Sequence, residues 1–63
     1  MMNSETVYWQ CGFSAGRARK NGDEGLASHQ GDWFSRAKAL EAPGDRKIAE
    51  AAYKRGYAEG GRC

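Results

Sequence analysis

The sequence has few residues of the kinds that build disulfide frameworks, metal centres or membrane spans. Among its 63 residues are two cysteines, one histidine and one proline. Two cysteines are too few for the disulfide framework of a small secreted domain, and Cys11, His29 and Cys63 lack the spacing of zinc ligands. No apolar run is long enough to span a bilayer, and the first residues lack the basic and apolar regions of a signal peptide. We therefore expect a cytoplasmic protein without a metal, a cofactor or a membrane anchor.

The pattern of a β-strand and the residue sets of an enzyme are also missing. No stretch alternates β-branched with polar residues, which excludes a predicted strand. A chain this short buries only about 60% of its unfolded surface, so its core is thin. Ser28 and His29 are adjacent and point apart on a helix, and nothing around Asp23-Glu24 would desolvate a carboxylate. We expect a non-enzymatic protein without catalytic residues.

The residues that are present predict an all-α domain of three helices over 1–63, at about 4–20, 28–42 and 45–60. Asn3 or Ser4 suits the start of the first helix, and Asn21-Gly22 suits its end. Cys11 falls on the apolar face of this helix, which predicts a small buried thiol. The third helix is capped by Asp45 in this interpretation and ends at Gly60-Gly61.

The middle helix is the least regular of the three. Gly31 weakens its first part, so its firm section is predicted to begin with Asp32 as the cap. Trp33 shares one face with Leu26, Ala37 and Leu40 and is therefore predicted to point inward. Phe34 diverges from Trp33 by about 100°. Phe34 then either forms an exposed contact for a partner or completes the thin core.

A motif of aromatic and glycine residues occurs at both ends of the chain. Trp9–Gly16 reads WQCGFSAG, and Tyr53–Gly60 reads YKRGYAEG. A glycine inside a helix costs about 0.5–1 kcal/mol relative to alanine, so four glycines on apolar helix faces need a reason. One interpretation is that the first and third helices pack through these faces, with either the backbones or the rings of Trp9 and Tyr53 against the glycines. The other is a surface that a phosphate backbone or a partner helix approaches closely.

Parts of both copies resemble the ribosome modulation factor family. Gly12–Arg19, GFSAGRAR, resembles the family's Gly-Tyr-x-Ala-Gly-x-x-Gly-Arg stretch, and Tyr53–Tyr57, YKRGY, resembles its Trp-x-x-Gly-Trp element. The resemblance implies a short basic protein with these elements on two helices. It also implies binding to the small ribosomal subunit near the 3′ end of its RNA, where the family promotes dimers of hibernating ribosomes.

The residues between the two copies depart from that family. The family's Cys-Pro loop after the first element is absent, and the family's connection is much shorter, so the helix around Trp33–Leu40 would be an insertion. The family is also strongly basic, whereas this chain has a net charge of +2. These departures bear on the target more than on the helical fold, because a fold is often reused for other partners.

The charges are divided along the chain. The net charge is +2 over residues 1–22, −2 over 23–44 and +2 over 45–63. If the two ends meet, their cations form a positive patch that would attract phosphate. The candidate RNA- or partner-binding residues are the cations near the motif copies and the neighbouring aromatics: Arg17, Arg19, Lys20, Lys54, Arg55, Arg62, Phe13, Tyr57 and Phe34.

Two functions therefore stay open. The first is a small regulator resembling ribosome modulation factor, which binds the ribosome or its RNA and modulates translation. The second is a small inhibitor or adaptor that blocks a single host protein, such as a phage-encoded anti-defence or anti-CRISPR-like protein. The near-neutral charge and the acidic middle favour the second function. Homodimerisation through the glycine faces is a variant of it.

Overall fold

The computed structural model describes residues 4–62, which form three helices and contain no strand. Helix α1 spans Ser4–Lys20, α2 spans Glu24–Ala39 and α3 spans Pro43–Arg62. The predicted all-α, three-helix fold is confirmed. The predicted cap at Asn3 and the tail residue Cys63 lie outside the described residues, as does the side chain of Ser4.

The end of α1 follows the predicted stop signal. Gly22 has a φ of 80°, a left-handed conformation that glycine adopts without a steric cost. The backbone amides of Gly22 and Asp23 donate to the carbonyls of Arg19 and Ala18, at 3.1 and 2.8 Å. These two bonds satisfy carbonyls that the last turn of the helix would otherwise leave unpaired.

The middle helix begins and ends earlier than predicted. Its cap is Asp23, not Asp32, because the Asp23 carboxylate accepts a hydrogen bond from the Leu26 amide at 3.0 Å. Gly31 lies within a continuous helix and does not interrupt it. At the other end, the Arg46 guanidinium donates to the carbonyls of Ala39 and Glu41, at 3.3 and 3.0 Å. A cation therefore provides hydrogen bonds for carbonyl groups that have no helical partner where α2 ends.

The third helix is longer than predicted at both ends. It begins at Pro43 instead of after an Asp45 cap, because proline is well suited to the first helical position, where its missing amide costs nothing. It continues through Gly60-Gly61 to Arg62. The double glycine is therefore part of the helix, and only Gly60 of the pair is buried.

The contacts of the motif glycines show that α1 and α3 run in the same direction. Gly12 faces the backbone of Tyr53, and one turn later Gly16 faces the backbone of Tyr57. The middle helix returns in the opposite direction, since Tyr8 contacts Glu41 and Cys11 contacts Gln30. The predicted packing of the first helix on the third through their glycine-rich aromatic faces is confirmed.

The four motif glycines bring the two backbones into direct contact. A Cβ atom on Gly12 would lie 2.9 Å from the carbonyl carbon of Tyr53, and one on Gly56 would lie 2.9 Å from that of Trp9. In both cases the nearest atom is the carbonyl oxygen of the aromatic residue, which is the arrangement of a Cα–H···O contact. Of the two predicted forms of close approach, backbone on backbone is the one found. Each glycine face is covered by the other helix of the same chain. The predicted variant in which two copies of the chain dimerise through these faces is therefore wrong.

The core is thin and built largely from small side chains. Ala15, Ala49 and Ala52 are fully or almost fully buried, beside the larger Tyr8 and Phe34. Cys11 is also buried, as predicted. A core with so few large buried groups depends on the close helix contact, because dispersion attraction falls steeply once a gap opens between packed surfaces.

The predicted rotation of the middle helix is wrong. Phe34 is only 9% exposed, whereas Trp33 is 42% and Leu40 is 90% exposed. Phe34 stacks on Tyr53 with ring centroids 4.0 Å apart and meets the Tyr8 ring edge-on at 5.8 Å. Phe34 therefore completes the core and is not a surface contact for a partner. One stacked and one edge-on aromatic contact outweigh the apolar stripe of Trp33, because together they bury almost the whole Phe34 ring.

None of the helices within residues 4–62 combines the length with the apolar character needed to cross a bilayer.

Candidate nucleic-acid interface

The parallel arrangement of α1 and α3 brings their carboxyl ends to the same end of the molecule. Arg17, Arg19 and Lys20 lie in the last turn of α1, and Arg62 is the last residue of α3. The Lys20 ammonium donates a hydrogen bond to the carbonyl oxygen of Arg62 at 3.3 Å, which ties the two helix ends together. We refer to the surface formed by these four residues as the basic end.

The four cations of the basic end have different local partners. The Arg19 guanidinium lies 5.9 Å from the centre of the Tyr57 ring, a cation–π distance. Arg62 pairs with Glu59 at 3.4 Å, and both of these side chains are largely exposed. Arg17 is exposed and has no ion pair within the described residues. Arg17 is thus the cation whose charge is least compensated by a neighbour.

Helix dipoles and acidic side chains reduce the potential of this surface. The negative ends of both dipoles meet at the basic end, which stabilises the cations there and offsets part of their charge. Asp23 and Glu24 lie at the start of α2, directly after the α1 turn, but the Asp23 carboxylate is engaged in the Leu26 cap. The surface is therefore moderately positive, and the Arg17 guanidinium, which has no ion pair among the described residues, can form the charge-assisted bonds that phosphate accepts.

Two of the predicted cations do not join the basic end. Lys54 and Arg55 precede Arg62 by seven or more residues on α3, which is roughly 10 Å along the helix axis. Arg55 forms an ion pair with Glu5 at 2.8 Å. Lys54 is exposed, has no ion pair within residues 4–62, and points about 100° away from Arg55. The structure therefore separates the predicted cations into a cluster of four and two single residues.

The aromatic residues of the motif lie on the two sides of the α1–α3 pair. Tyr57 is tilted against Tyr53, on the side that Phe34 covers. Phe13 stacks on Trp9, with ring centroids 5.2 Å apart and planes 24° from parallel. Since Gly12 faces α3 and Cys11 faces α2, the position of Phe13 lies on the opposite flank of α1. Phe13 and Tyr57 are both half-buried and do not form a joint stacking platform. Each instead adjoins the basic end separately.

The predicted site omits two partly exposed aromatic residues. The sequence places Trp9 only in helix packing, whereas Trp9 is half-buried and stacks on Phe13. The sequence places Trp33 in the core, whereas Trp33 borders an open groove of about 380 Å³ between α1 and α2. The signal that would have placed Trp33 outside is the neighbouring Phe34, since only one of two adjacent helical residues can point at the core.

The buried titratable groups lie away from the basic end. The pKa of Tyr8 is raised, first by burial and then by the hydrogen bond that its hydroxyl donates to the Glu41 carboxylate at 3.1 Å. Burial also raises the pKa of the Cys11 thiol, which donates to the side-chain oxygen of Gln30 at 3.2 Å. A thiol that stays protonated is a poor nucleophile. Cys11 is therefore a packing residue.

Within residues 4–62, no three His, Cys, Asp or Glu side chains lie close enough together to hold a metal ion.

Comparison of the chain with protein-family models, with curated proteins and with solved structures found no match in any of the three.

Proposed function

We propose that this chain is a small non-enzymatic regulator that binds ribosomal RNA in the cytoplasm and modulates translation. The observation that supports the proposal is the convergence of Arg17, Arg19, Lys20 and Arg62 at one end of the parallel helix pair. Four clustered cations suit a phosphate backbone better than they suit an apolar protein surface.

The aromatic residues next to the basic end add a means of binding unpaired bases. Phe13 lies one turn before Arg17 on α1, and Tyr57 lies beneath the Arg19 guanidinium. Single-stranded RNA is commonly bound by aromatic rings that stack on bases while neighbouring cations hold the phosphates. The resemblance of Gly12–Arg19 to ribosome modulation factor makes the small ribosomal subunit the first target to test.

The test is co-sedimentation of the purified chain with small ribosomal subunits at low and high salt. If the four cations each contact one phosphate of a single-stranded segment, affinity falls roughly 50-fold between 50 and 200 mM salt. The variant Arg17→Gln/Arg19→Gln is expected to bind weakly at both salt concentrations. The control Lys47→Gln/Lys54→Gln removes the same charge from exposed positions outside the basic end.

Binding that is equally weakened by both double variants would reflect net charge alone and would contradict the proposed site. Absence of binding to subunits and to isolated ribosomal RNA at low salt would contradict the function itself. Circular dichroism of each variant measures its helical content and so distinguishes a loss of binding from a loss of folded structure.

A second function, in which the chain is an inhibitor or adaptor that binds one host protein, is favoured by a different observation. Trp33, Leu40 and Ile48 are large apolar residues with two-fifths or more of their surface exposed, as is common at protein-binding sites. A phage-encoded anti-defence or anti-CRISPR-like protein would present such a surface to its target. Affinity purification from the native host distinguishes the two functions, because nuclease treatment releases an RNA partner and retains a directly bound protein.

A further inference from the structure

One flank of α2 carries a regular apolar stripe that α1 covers only in part: the Trp33 ring is tilted against Tyr8 of α1, with ring centroids 6.0 Å apart. Leu26, Trp33 and Leu40 are spaced seven residues apart, and they are 40%, 42% and 90% exposed. A straight helix turns by about 20° for every seven residues, which carries the stripe progressively away from the core towards Leu40. The core side of the same helix is provided by Ala27 and Phe34. The exposed parts of these three side chains therefore form an apolar strip beside the core face, about 21 Å long by the helical rise.

The spacing of the stripe makes it complementary to itself. Leu26 and Leu40 lie at equal distances on either side of Trp33. If a second copy pairs antiparallel about Trp33, Leu26 of each copy lies opposite Leu40 of the other. Such an interface is isologous, which is the usual form in a two-fold symmetric dimer. It would cover all three exposed residues at once, with the two Trp33 rings at its centre.

The charges beside the stripe favour this register. Asp32 and Arg36 flank Trp33 on the same side of α2, and neither forms an ion pair within the described residues. In the antiparallel pairing, Asp32 of one copy and Arg36 of the other lie on the same side and about 3 Å apart along the axis. The two Asp32 carboxylates come equally close along the axis, so two attractive Asp32–Arg36 pairs stand against one Asp32–Asp32 repulsion, and the balance is favourable. In a parallel pairing in register, Asp32 of one copy and Arg36 of the other lie four residues apart, about 6 Å along the axis, and on opposite sides of the interface.

A groove at the end of the stripe suits the most exposed residue. It is lined by Leu26 with Ser14, Arg17 and Ala18 of α1. In the register centred on Trp33, Leu40 of the second copy reaches the level of Leu26 and therefore of this groove. Leu40 would then bury most of the side chain that is 90% exposed in the single chain.

From these observations we infer that two copies of the chain associate through α2, antiparallel about Trp33, with Leu26 against Leu40 and Asp32 against Arg36. This inference does not rest on the proposed RNA binding, and it is tested without RNA.

The experiment is sedimentation equilibrium of the wild-type chain and of matched variants across a wide concentration range. The wild type is expected to be a dimer at micromolar concentrations. Leu40→Glu is expected to weaken the dimer at least about tenfold, and because Leu40 is 90% exposed it leaves folding intact. The control Ala58→Glu places the same charge at an exposed position on α3, outside the stripe, and is expected to leave the dimer unchanged.

A charge reversal tests the register. Asp32→Arg and Arg36→Asp are each expected to weaken the dimer, and the double variant Asp32→Arg/Arg36→Asp is expected to restore it. A wild-type chain that remains a monomer up to millimolar concentration would overturn the inference, and the stripe would then belong to a different partner. A dimer that survives Leu40→Glu, is lost in Ala58→Glu, or is not restored in the double variant would overturn it equally.

Discussion

The carbonyl oxygen of Trp9 lies against Gly56, at the point where any other residue would carry its Cβ atom. The reciprocal contact joins the carbonyl oxygen of Tyr53 to Gly12. Because the two contacts exchange equivalent positions of the repeated motif, α1 and α3 are related by an approximate two-fold axis that runs between them. The motif therefore permits close parallel packing of the two helices, in which the backbone carbonyl of each aromatic residue contacts the glycine of the other helix.

Replacement of Gly12 by alanine is expected to destabilise the protein. The added Cβ would lie 2.9 Å from the carbonyl carbon of Tyr53, and a backbone cannot move aside as a flexible side chain does, so the helices must separate. Overpacking of this kind costs about 1–3 kcal/mol. The matched control is Gly31→Ala, where nothing lies within 4 Å of the new atom and a stabilisation of about 0.5–1 kcal/mol is expected. Urea denaturation followed by circular dichroism measures both, and a similar effect of the two variants would contradict the packing described.

The close contact of α1 and α3 could be predicted from sequence because glycine has a known cost inside a helix. Gly12 and Gly56 recur at the same place in both copies of the motif, so their cost has to be offset by an approach that no other residue permits. The direction of the helices could not be predicted in the same way. A parallel and an antiparallel pair both place glycines at the contact, and only the path of α2 decides between them.

The position of α2 shows a different limit of the sequence. Leu26, Trp33 and Leu40 form a clearer apolar stripe than Ala27 and Phe34, yet the weaker stripe faces the core. Phe34 prevails because Tyr8 and Tyr53 approach it from two other helices, and a single-helix pattern contains no information about those rings. The same limit affected the candidate site, since the cluster of Arg17 and Arg62 depends on the parallel packing of α1 and α3.

Substitutions at the adjacent residues Trp33 and Phe34 are expected to differ in their effect on stability. Phe34→Leu removes a ring stacked 4.0 Å from Tyr53 and is expected to lower the free energy of unfolding by about 1–2 kcal/mol. Trp33→Leu alters a ring that is 42% exposed and only tilted against Tyr8, with centroids 6.0 Å apart, and is expected to lower it by less, about 1 kcal/mol or below. Thermal unfolding at a concentration where both variants are monomeric makes the comparison. A larger loss for Trp33→Leu would reverse the assignment of the core.

The Cys11 thiol is expected to resist alkylation while the protein is folded. It is buried, its pKa is raised by that burial, and it donates to Gln30 at 3.2 Å, so little thiolate is present and access is limited. The measurement uses iodoacetamide on a Cys63→Ser variant, which confines the reaction to one thiol. Addition of urea is expected to raise the labelling rate in step with unfolding. Rapid labelling of the folded chain at neutral pH would contradict this expectation and show that the thiol is reached through the groove beside Trp33.

The stability of the protein is expected to fall as the solution becomes strongly alkaline. The pKa of Tyr8 in the folded chain lies above its ordinary value of 10.0 because of burial and of the Glu41 carboxylate. The unfolded chain therefore loses this proton first. The contribution of Tyr8 to the free energy of unfolding is fully present below about pH 10 and is lost as the pH rises through the folded pKa, at up to about 1.4 kcal/mol per pH unit.

Tyr8→Phe removes the ionisable group and is expected to give a shallower decline of stability above pH 10. The variant also loses the hydrogen bond to Glu41, which is expected to cost about 1 kcal/mol at neutral pH. Urea denaturation of both proteins from pH 8 upward tests this. Parallel curves above pH 10 would mean that Tyr8 ionises as easily in the folded chain as in the unfolded one.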